Sequence, residues 1–248
     1  MQKIPDARIA VEVRDRVSFV TIKRPEARNA LTQSMYAAIR DACVGADRDP
    51  SVDVVVLQGS GGAFATGGDL KEILAILESE EPTAILRYEE FLPFEAVRSM
   101  SKPTIAQIDG LCLGGGLTLA LMCDILIASD SSRFGIPEAK VGIVDGHMPR
   151  LLREAVPPAR LRYWMYTGTL FAAKEAYEVG LLTRVVPAKE LEGSLKECLA
   201  ELKASSQDAI RGCKRILNET RQLSSMSDAY VTLLQPSVRR ELQRFRDR

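Results

Sequence analysis

The residues best suited to chemistry are three glycine clusters and one glutamate. Gly59-Ser60-Gly61-Gly62, Gly67-Gly68 and Gly114-Gly115-Gly116 follow apolar segments and lead toward helix starts. A helix N-terminus carries partial positive charge on exposed N–H groups, and glycine lets a ligand approach that backbone closely. Two such ends can bind phosphates, or can aim two N–H groups at one developing oxyanion. The phosphate-loop patterns fail in detail. GxxxxGK(S/T) does not occur, and Gly59-Ser60-Gly61-Gly62-Ala63-Phe64 lacks the last glycine of GxGxxG. On spacing alone, the glycines either serve such a site or simply permit tight turns and close helix packing.

Nucleophile and metal chemistry have little to draw on. His147 is the single histidine, so it can serve one Ser–His or Cys–His pair at most, and there is no GxSxG elbow. A three-histidine metal site is impossible, and acidic ligands are not clustered, so no metal is expected. Carboxylates remain the best acid–base groups. Glu138, in Phe134-Gly135-Ile136-Pro137-Glu138, stands between an apolar strand and an apolar run. Burial there would raise its pKa toward a useful value. Read in isolation, a lone glutamate is more simply a solvated surface residue.

The elements that must hold these residues alternate. Ile9 to Val13 and Val17 to Ile22 are rich in β-branched residues, with polar Arg14-Asp15-Arg16 between them, a hairpin pattern. A helix follows, with Thr32 as its N-cap and Met35, Ile39, Ala42 and Ala46 on one face, stopping near Asp49-Pro50. Val54 to Leu57 reads as a strand buried on both faces. It leads through glycines to a helix start at Asp69. Thr104 to Ile108 repeats the module, leading through Gly110 and Gly114-Gly115-Gly116 to an apolar helix. Between them the sequence predicts a helical segment, roughly Thr83 to Met100, that ends before Pro103. Ile125 to Ala128 and Leu182 to Val186 read as later strands. Strands alternating with helices indicate α/β structure with a largely parallel sheet. From about Lys189 the pattern turns helical: Leu191, Leu195, Cys198 and Leu202 repeat at helix spacing, as do Ala209, Cys213 and Leu217. Residues 1–188 are thus expected to form the core and 189–248 a helical segment, whose apolar faces serve a subunit interface or pack on the core.

Composition narrows the partners. In 248 residues, Lys plus Arg number 33 and Asp plus Glu 33, which argues against nucleic acid or an acidic membrane surface. Gly110 to Ser129 is nearly as apolar as a membrane span. Asp124 and the three successive glycines favour a buried strand–turn–helix–strand passage instead, so no membrane role is expected. The five cysteines are odd in number, widely spaced and lack CxxC, which points to a reducing, cytoplasmic setting.

Taken together, the motifs resemble the crotonase superfamily, the enoyl-CoA hydratases and isomerases, over nearly the full length. The matching stretches are Arg24 to Leu31, Ala63 to Lys71, Gly110 to Asp124, Phe134 to Gly142 and Ala173 to Val186. The resemblance implies an α/β spiral of repeated ββα units closed by C-terminal helices, trimers or dimers of trimers, and an acyl-CoA thioester substrate. Coenzyme A enters as part of that substrate, with no prosthetic group. Carried over by position, the Gly68 and Gly115 N–H groups form the oxyanion hole. The adenine lies near Ala27, Arg28 and Asn29, and the phosphates near Lys71.

Two departures bear on the reaction. Hydratases of this family usually carry two glutamates; here the second is Glu138, but the first position holds Thr118, whose hydroxyl can at most hold a water. One carboxylate suffices to move a proton between carbons, so isomerisation is expected to outpace hydration. In addition, Asp145 resembles the aspartate in the VGSFD motif of dihydroxynaphthoyl-CoA synthases and related ring-forming or ring-opening members. Its alternative is to cap a following turn. His147, beside it, reads as a loop residue. A ring-cleaving or other enolate-forming enzyme using Asp145, and a catalytically silent acyl-CoA binder, are the alternatives to an enoyl-CoA hydratase or isomerase.

Overall fold

The hairpin at the start of the chain forms as read. In the computed structural model, which describes residues 6–218 together with 234, 239–240 and 242–244, β1 (Ile9–Arg14) and β2 (Val17–Ile22) pair antiparallel. Asp15 and Arg16 both take positive φ, the pair of left-handed residues that a two-residue turn needs to match strand twist. Helix α1 (Gln33–Arg48) is capped by Thr32, whose Oγ1 accepts the Met35 N–H at 3.3 Å. Its buried face includes Met35, Tyr36, Ile39, Ala42, Cys43 and Ala46.

Three modules follow, each a longer strand and then a three-residue one. The first is β3 (Val54–Gly59) and β4 (Ala63–Ala65), leading into α2 (Leu70–Leu77). A 3-10 helix (Pro82–Phe91) and the short α3 (Phe94–Arg98) come next. The helical segment expected over roughly Thr83 to Met100 is met in two pieces, divided at Pro93, which has no N–H to continue the ladder. The second module is β5 (Thr104–Ile108) and β6 (Leu111–Leu113), leading into α4 (Gly115–Leu121). The third is β7 (Ile125–Ser129) and β8 (Arg133–Gly135), leading into a 3-10 turn over Glu138–Val141. The chain then runs through α5 (Met148–Leu152), α6 (Pro158–Thr167), β9 (Phe171–Ala172), α7 (Ala173–Glu178), β10 (Arg184–Val186), α8 (Leu191–Ala204) and α9 (Gln207–Asn218).

The longer strands build a six-stranded sheet, β1-β2-β3-β5-β7-β10, parallel beyond the hairpin; the short ones build a second, β4-β6-β8-β9. This is the repeated ββα arrangement expected. Because β4, β6 and β8 run parallel side by side, their C-terminal ends meet along one line. The Gly67-Gly68, Gly114-Gly115 and Pro137-Glu138 corners are thereby brought together.

Alternate residues of the larger sheet serve two layers. Val20, Ile22, Val55 and Leu57 enter the main core with α1, while Val17, Phe19, Val54 and Val56 pack under Leu191, Leu195, Cys198 and Leu199 of α8. The apolar stretch from Gly110 to Ser129 folds as strand, turn, helix and strand. Among the described residues no helix is long and apolar enough to cross a membrane.

Helix α9 does not pack its apolar face on the core, one of the two alternatives expected for it. Lys214 is its buried residue, donating to the Lys102 carbonyl at 2.9 Å and to Asp124 Oδ2 at 2.7 Å, and Cys213 and Leu217 are exposed. The ion pair with Asp124 overrides the apolar spacing. Of the Arg-rich end, Ser237 to Arg248, most lies outside the described residues, but Leu242 is buried in the main core.

Candidate active site

Gly68 is set by its neighbours. The Leu31 N–H donates to the Gly67 carbonyl at 2.8 Å, and the Asp69 N–H donates to the Leu31 carbonyl at 2.9 Å. In extended backbone successive residues point to opposite sides, so the Gly68 N–H faces away from Leu31. The Asp69 carboxylate accepts from the Lys71 and Glu72 amides at 2.9 and 3.3 Å and from Arg24 Nη1 at 2.5 Å. Its pKa is lowered: these bonds outweigh burial, which is the largest single influence and acts the other way.

The second corner presses against the first. A Cβ on Gly67 would stand 3.2 Å from the Gly115 nitrogen, so the two turns abut with no side chain between them. Gly114 has φ of 50° and ψ of −129°, a conformation that demands glycine. A Cβ there would also meet Glu138 Oε1 at 2.4 Å, so that carboxyl would have to move. Among the described residues, neither the Gly68 nor the Gly115 amide finds an acceptor.

Glu138 therefore lies directly over the Gly114 Cα. Its carboxyl is buried, and Oε2 has no hydrogen-bond partner among the described residues. Burial first, and the charge of Asp145 second, push its pKa up to about 8. Asp145 is itself shifted upward by burial, against the pull of two amides: Oδ1 accepts from His147 N–H at 2.8 Å and Met148 N–H at 2.7 Å. The capping alternative for Asp145 is thus met at the start of α5, and the carboxyl still acts electrostatically on Glu138. His147 is buried, its ring edge-on to Phe94 at 5.1 Å, and burial lowers its pKa so that it is neutral near pH 7.

The remaining candidates divide. Thr118 is buried one helical turn beyond Gly114, its hydroxyl donating weakly to the Gly114 carbonyl at 3.4 Å. Arg28 and Lys71 are exposed and Ala27 half-buried. Asn29 is different: it is fully buried, accepting from the Arg24 N–H at 2.8 Å and donating to the Ser60 and Ala63 carbonyls at 2.9 and 2.7 Å. Its side chain pins the loop and is not offered to a ligand. Two tyrosines at the site carry no motif. Tyr36 Oη stands 2.5 Å from where a Gly115 Cβ would lie, and Tyr88 Oη 3.6 Å from the same point on Gly68. In the sequence both look like ordinary core aromatics. Among the described residues no cluster of side chains suits a metal ion.

A buried Glu138 carboxyl over Gly114, under the charge of Asp145, suits acid–base work next to a developing oxyanion. Comparison with known proteins agrees in class. The family model for enoyl-CoA hydratase/isomerase matches residues 12–237. The chain is 36% identical over 225 residues to a probable enoyl-CoA hydratase of Mycobacterium bovis, covering 90% of this chain and 85% of that one. It is 33% identical over 222 residues to a crotonyl-CoA hydratase of Syntrophomonas wolfei, covering 86% and 82%. The crystal structure of an enoyl-CoA hydratase from Mycobacterium avium subsp. paratuberculosis K-10 superposes with a TM-score of 0.85 at 28% identity, covering 96% and 99%. Fold, order of motifs and overall similarity agree: the chain is an enzyme of the enoyl-CoA hydratase/isomerase family.

Proposed function

We propose that the enzyme shifts a double bond in an enoyl-CoA thioester, with Glu138 as the group that carries the proton. The observation behind this reading is the buried Glu138 carboxyl over Gly114, next to the paired glycine amides. The ionised carboxylate takes a proton from the α carbon of a 3-enoyl-CoA. The electron pair moves onto the thioester oxygen, which the Gly68 and Gly115 N–H groups hold as a dienolate. Glu138 then returns the proton at the γ carbon, giving the 2-enoyl product. Donors fixed toward charge that develops only in the transition state favour that state over the bound substrate. Arg28 and Lys71, both exposed cations, suit the nucleotide end of the thioester, and Asn29 shapes the loop that carries Arg28. A trimeric assembly accords with α9, which turns Ile216 and Leu217 outward at 62% and 73% exposure.

A second reading is hydration, favoured by the electrostatic pairing of Asp145 with Glu138 and by relatives named as hydratases. Asp145 would then supply the second carboxylate that Thr118 does not. The direct experiment gives the wild type 3-enoyl and 2-enoyl thioesters of matched chain length. Isomerisation is expected to be the faster reaction and to rise from pH 7 to beyond pH 8, because a carboxyl with a pKa of about 8 is mostly protonated at pH 7 and must lose that proton to act as base. Glu138→Gln should remove both activities. Efficient hydration with negligible isomerisation selects the second reading.

A further inference from the structure

Gly68 lies outside α2, one residue before the Asp69 cap, so no helical hydrogen bond fixes its direction. Its neighbour Gly67 takes φ of 92°, and glycine has more backbone freedom to lose than any other residue. An amide that stabilises charge in a transition state must nevertheless be aimed before the charge arrives. The aim has to come from outside the glycine pair. The bridge to Leu31 supplies one restraint, holding the Gly67 carbonyl and the Asp69 N–H on either side of Gly68. Arg24 crosses that bridge. Its Nη1 donates to Asp69 Oδ2 at 2.5 Å and to the Ala30 carbonyl at 2.9 Å. Ala30 precedes Leu31 and Asp69 follows Gly68, so one nitrogen ties together the two bridged segments. Capping α2 does not call for this bond, because both amides of the cap go to Asp69 Oδ1. Arg24 is itself anchored: its N–H donates to Asn29 Oδ1 at 2.8 Å, and its carbonyl accepts the Asn29 N–H at 2.9 Å. Asn29 in turn donates to the Ser60 and Ala63 carbonyls, at the entry to β4.

We infer that Arg24 is a positioning residue for the first corner, aiming the Gly68 N–H at the thioester oxygen through Asp69; the inference rests on the enolate reading given above. Arg24 does not touch the substrate in this scheme. A carboxylate bound only through Oδ1 is free to turn about that oxygen, and the backbone that carries it can follow. With Oδ2 held as well, Asp69 is fixed at both oxygens, and Gly68 is fixed between Asp69 and the Gly67 carbonyl. The guanidinium side chain is largely buried, and hydrogen bonds to a charged group are stronger than neutral ones, so the restraint is firm. Asp69 thus divides its work: one oxygen serves α2, and the other serves the corner.

Arg24→Met keeps the apolar stem and removes every donor. The probe is a conjugated 2,4-dienoyl-CoA bound to the full chain, whose absorbance moves to longer wavelength when donors pull on its carbonyl. Measured well below the melting temperature of each variant, that shift should shrink in Arg24→Met. Turnover should fall by about tenfold with KM nearly unchanged, because a misdirected donor costs less than the roughly 10²–10³ of a deleted one. Arg24→Lys, which keeps a charged donor, should recover part of both. Should Arg24→Met not fold, Asp69→Asn makes the same cut from the other side: asparagine caps a helix as well as aspartate does, but it can turn an NH2 group toward the guanidinium. A lower melting temperature with the shift at its wild-type value is what a purely structural Arg24 would give, and it overturns the inference. Gly68→Pro, or Gly115→Pro should the first not fold, separates the two ideas. If the proline variant also keeps the full shift, the oxyanion reading itself fails. If the proline variant loses the shift and the Arg24 or Asp69 variant keeps it, only the role of Arg24 fails.

Discussion

The first and second modules share one plan but end differently. Both run from a strand of the large sheet, through a three-residue strand of the small one, to a glycine corner and a helix. In the first, Asp69 caps α2, takes two of its leading amides and is itself held by Arg24. In the second, no side chain caps α4. The residue at that position is Gly114, and what stands over it is Glu138, from the third module. The first corner is finished within itself. The second has no such cap, and the buried Glu138 carboxyl stands over it. On the proposed mechanism, a repeated unit becomes a site by leaving one copy unfinished.

That contrast can be broken most severely at the open corner. Gly115→Pro deletes the donor and should lower turnover by about 10²–10³ in a protein that remains folded, as losing an oxyanion donor generally does. Circular dichroism must show the fold intact, and unchanged turnover would remove Gly115 from the mechanism. The closed corner should answer in stability. Asp69→Ala loses an N-cap, about 1 kcal/mol, and leaves Arg24 without its nearest carboxylate, which adds to the loss. A melting temperature several degrees lower, at about 2–4 °C per kcal/mol, is the expected result. A melting temperature equal to the wild type would mean that Asp69 does not hold the first corner. The mildest change is Asp145→Asn, which takes a negative charge from beside Glu138. The midpoint of the rate-versus-pH curve should move to lower pH, because removing a like charge makes the Glu138 carboxylate easier to form. Activity lost at every pH would instead assign Asp145 to the chemistry.

The hairpin, α1 with its Thr32 cap, the buried β3 and the two glycine corners were legible in the sequence because each has a local cause. The small sheet followed only from the family resemblance, not from its own residues. Its strands β4, β6 and β8 are three residues long, too short for any period, and β4 is buried on both faces. Pro93 breaks a segment whose apolar spacing looks continuous. In α9 the Asp124 carboxylate and the Lys102 carbonyl turn Lys214 inward, and long-range partners of that kind leave no mark on helix periodicity. Within the site, Glu138 and the glycines could be named from their motifs. The reach of Arg24 to Asp69 depends on how the Leu31 segment bridges Gly68, and the action of Asp145 on Glu138 depends on the path of the loop between them.

The buried Glu138 also ties folding to acidity. A carboxyl with an ordinary value of 4.5 and a folded value of about 8 binds its proton more tightly in the folded chain, so folding takes up a proton between those limits. Its contribution is complete below the ordinary value and fades as the pH climbs through about 8. Asp69 and Asp6, both held below the usual carboxylate range with arginine partners, act in the opposite sense and lose their contribution in acid. Asp69 and Asp6 therefore lose their contribution in acid, whereas Glu138 loses its contribution in alkali.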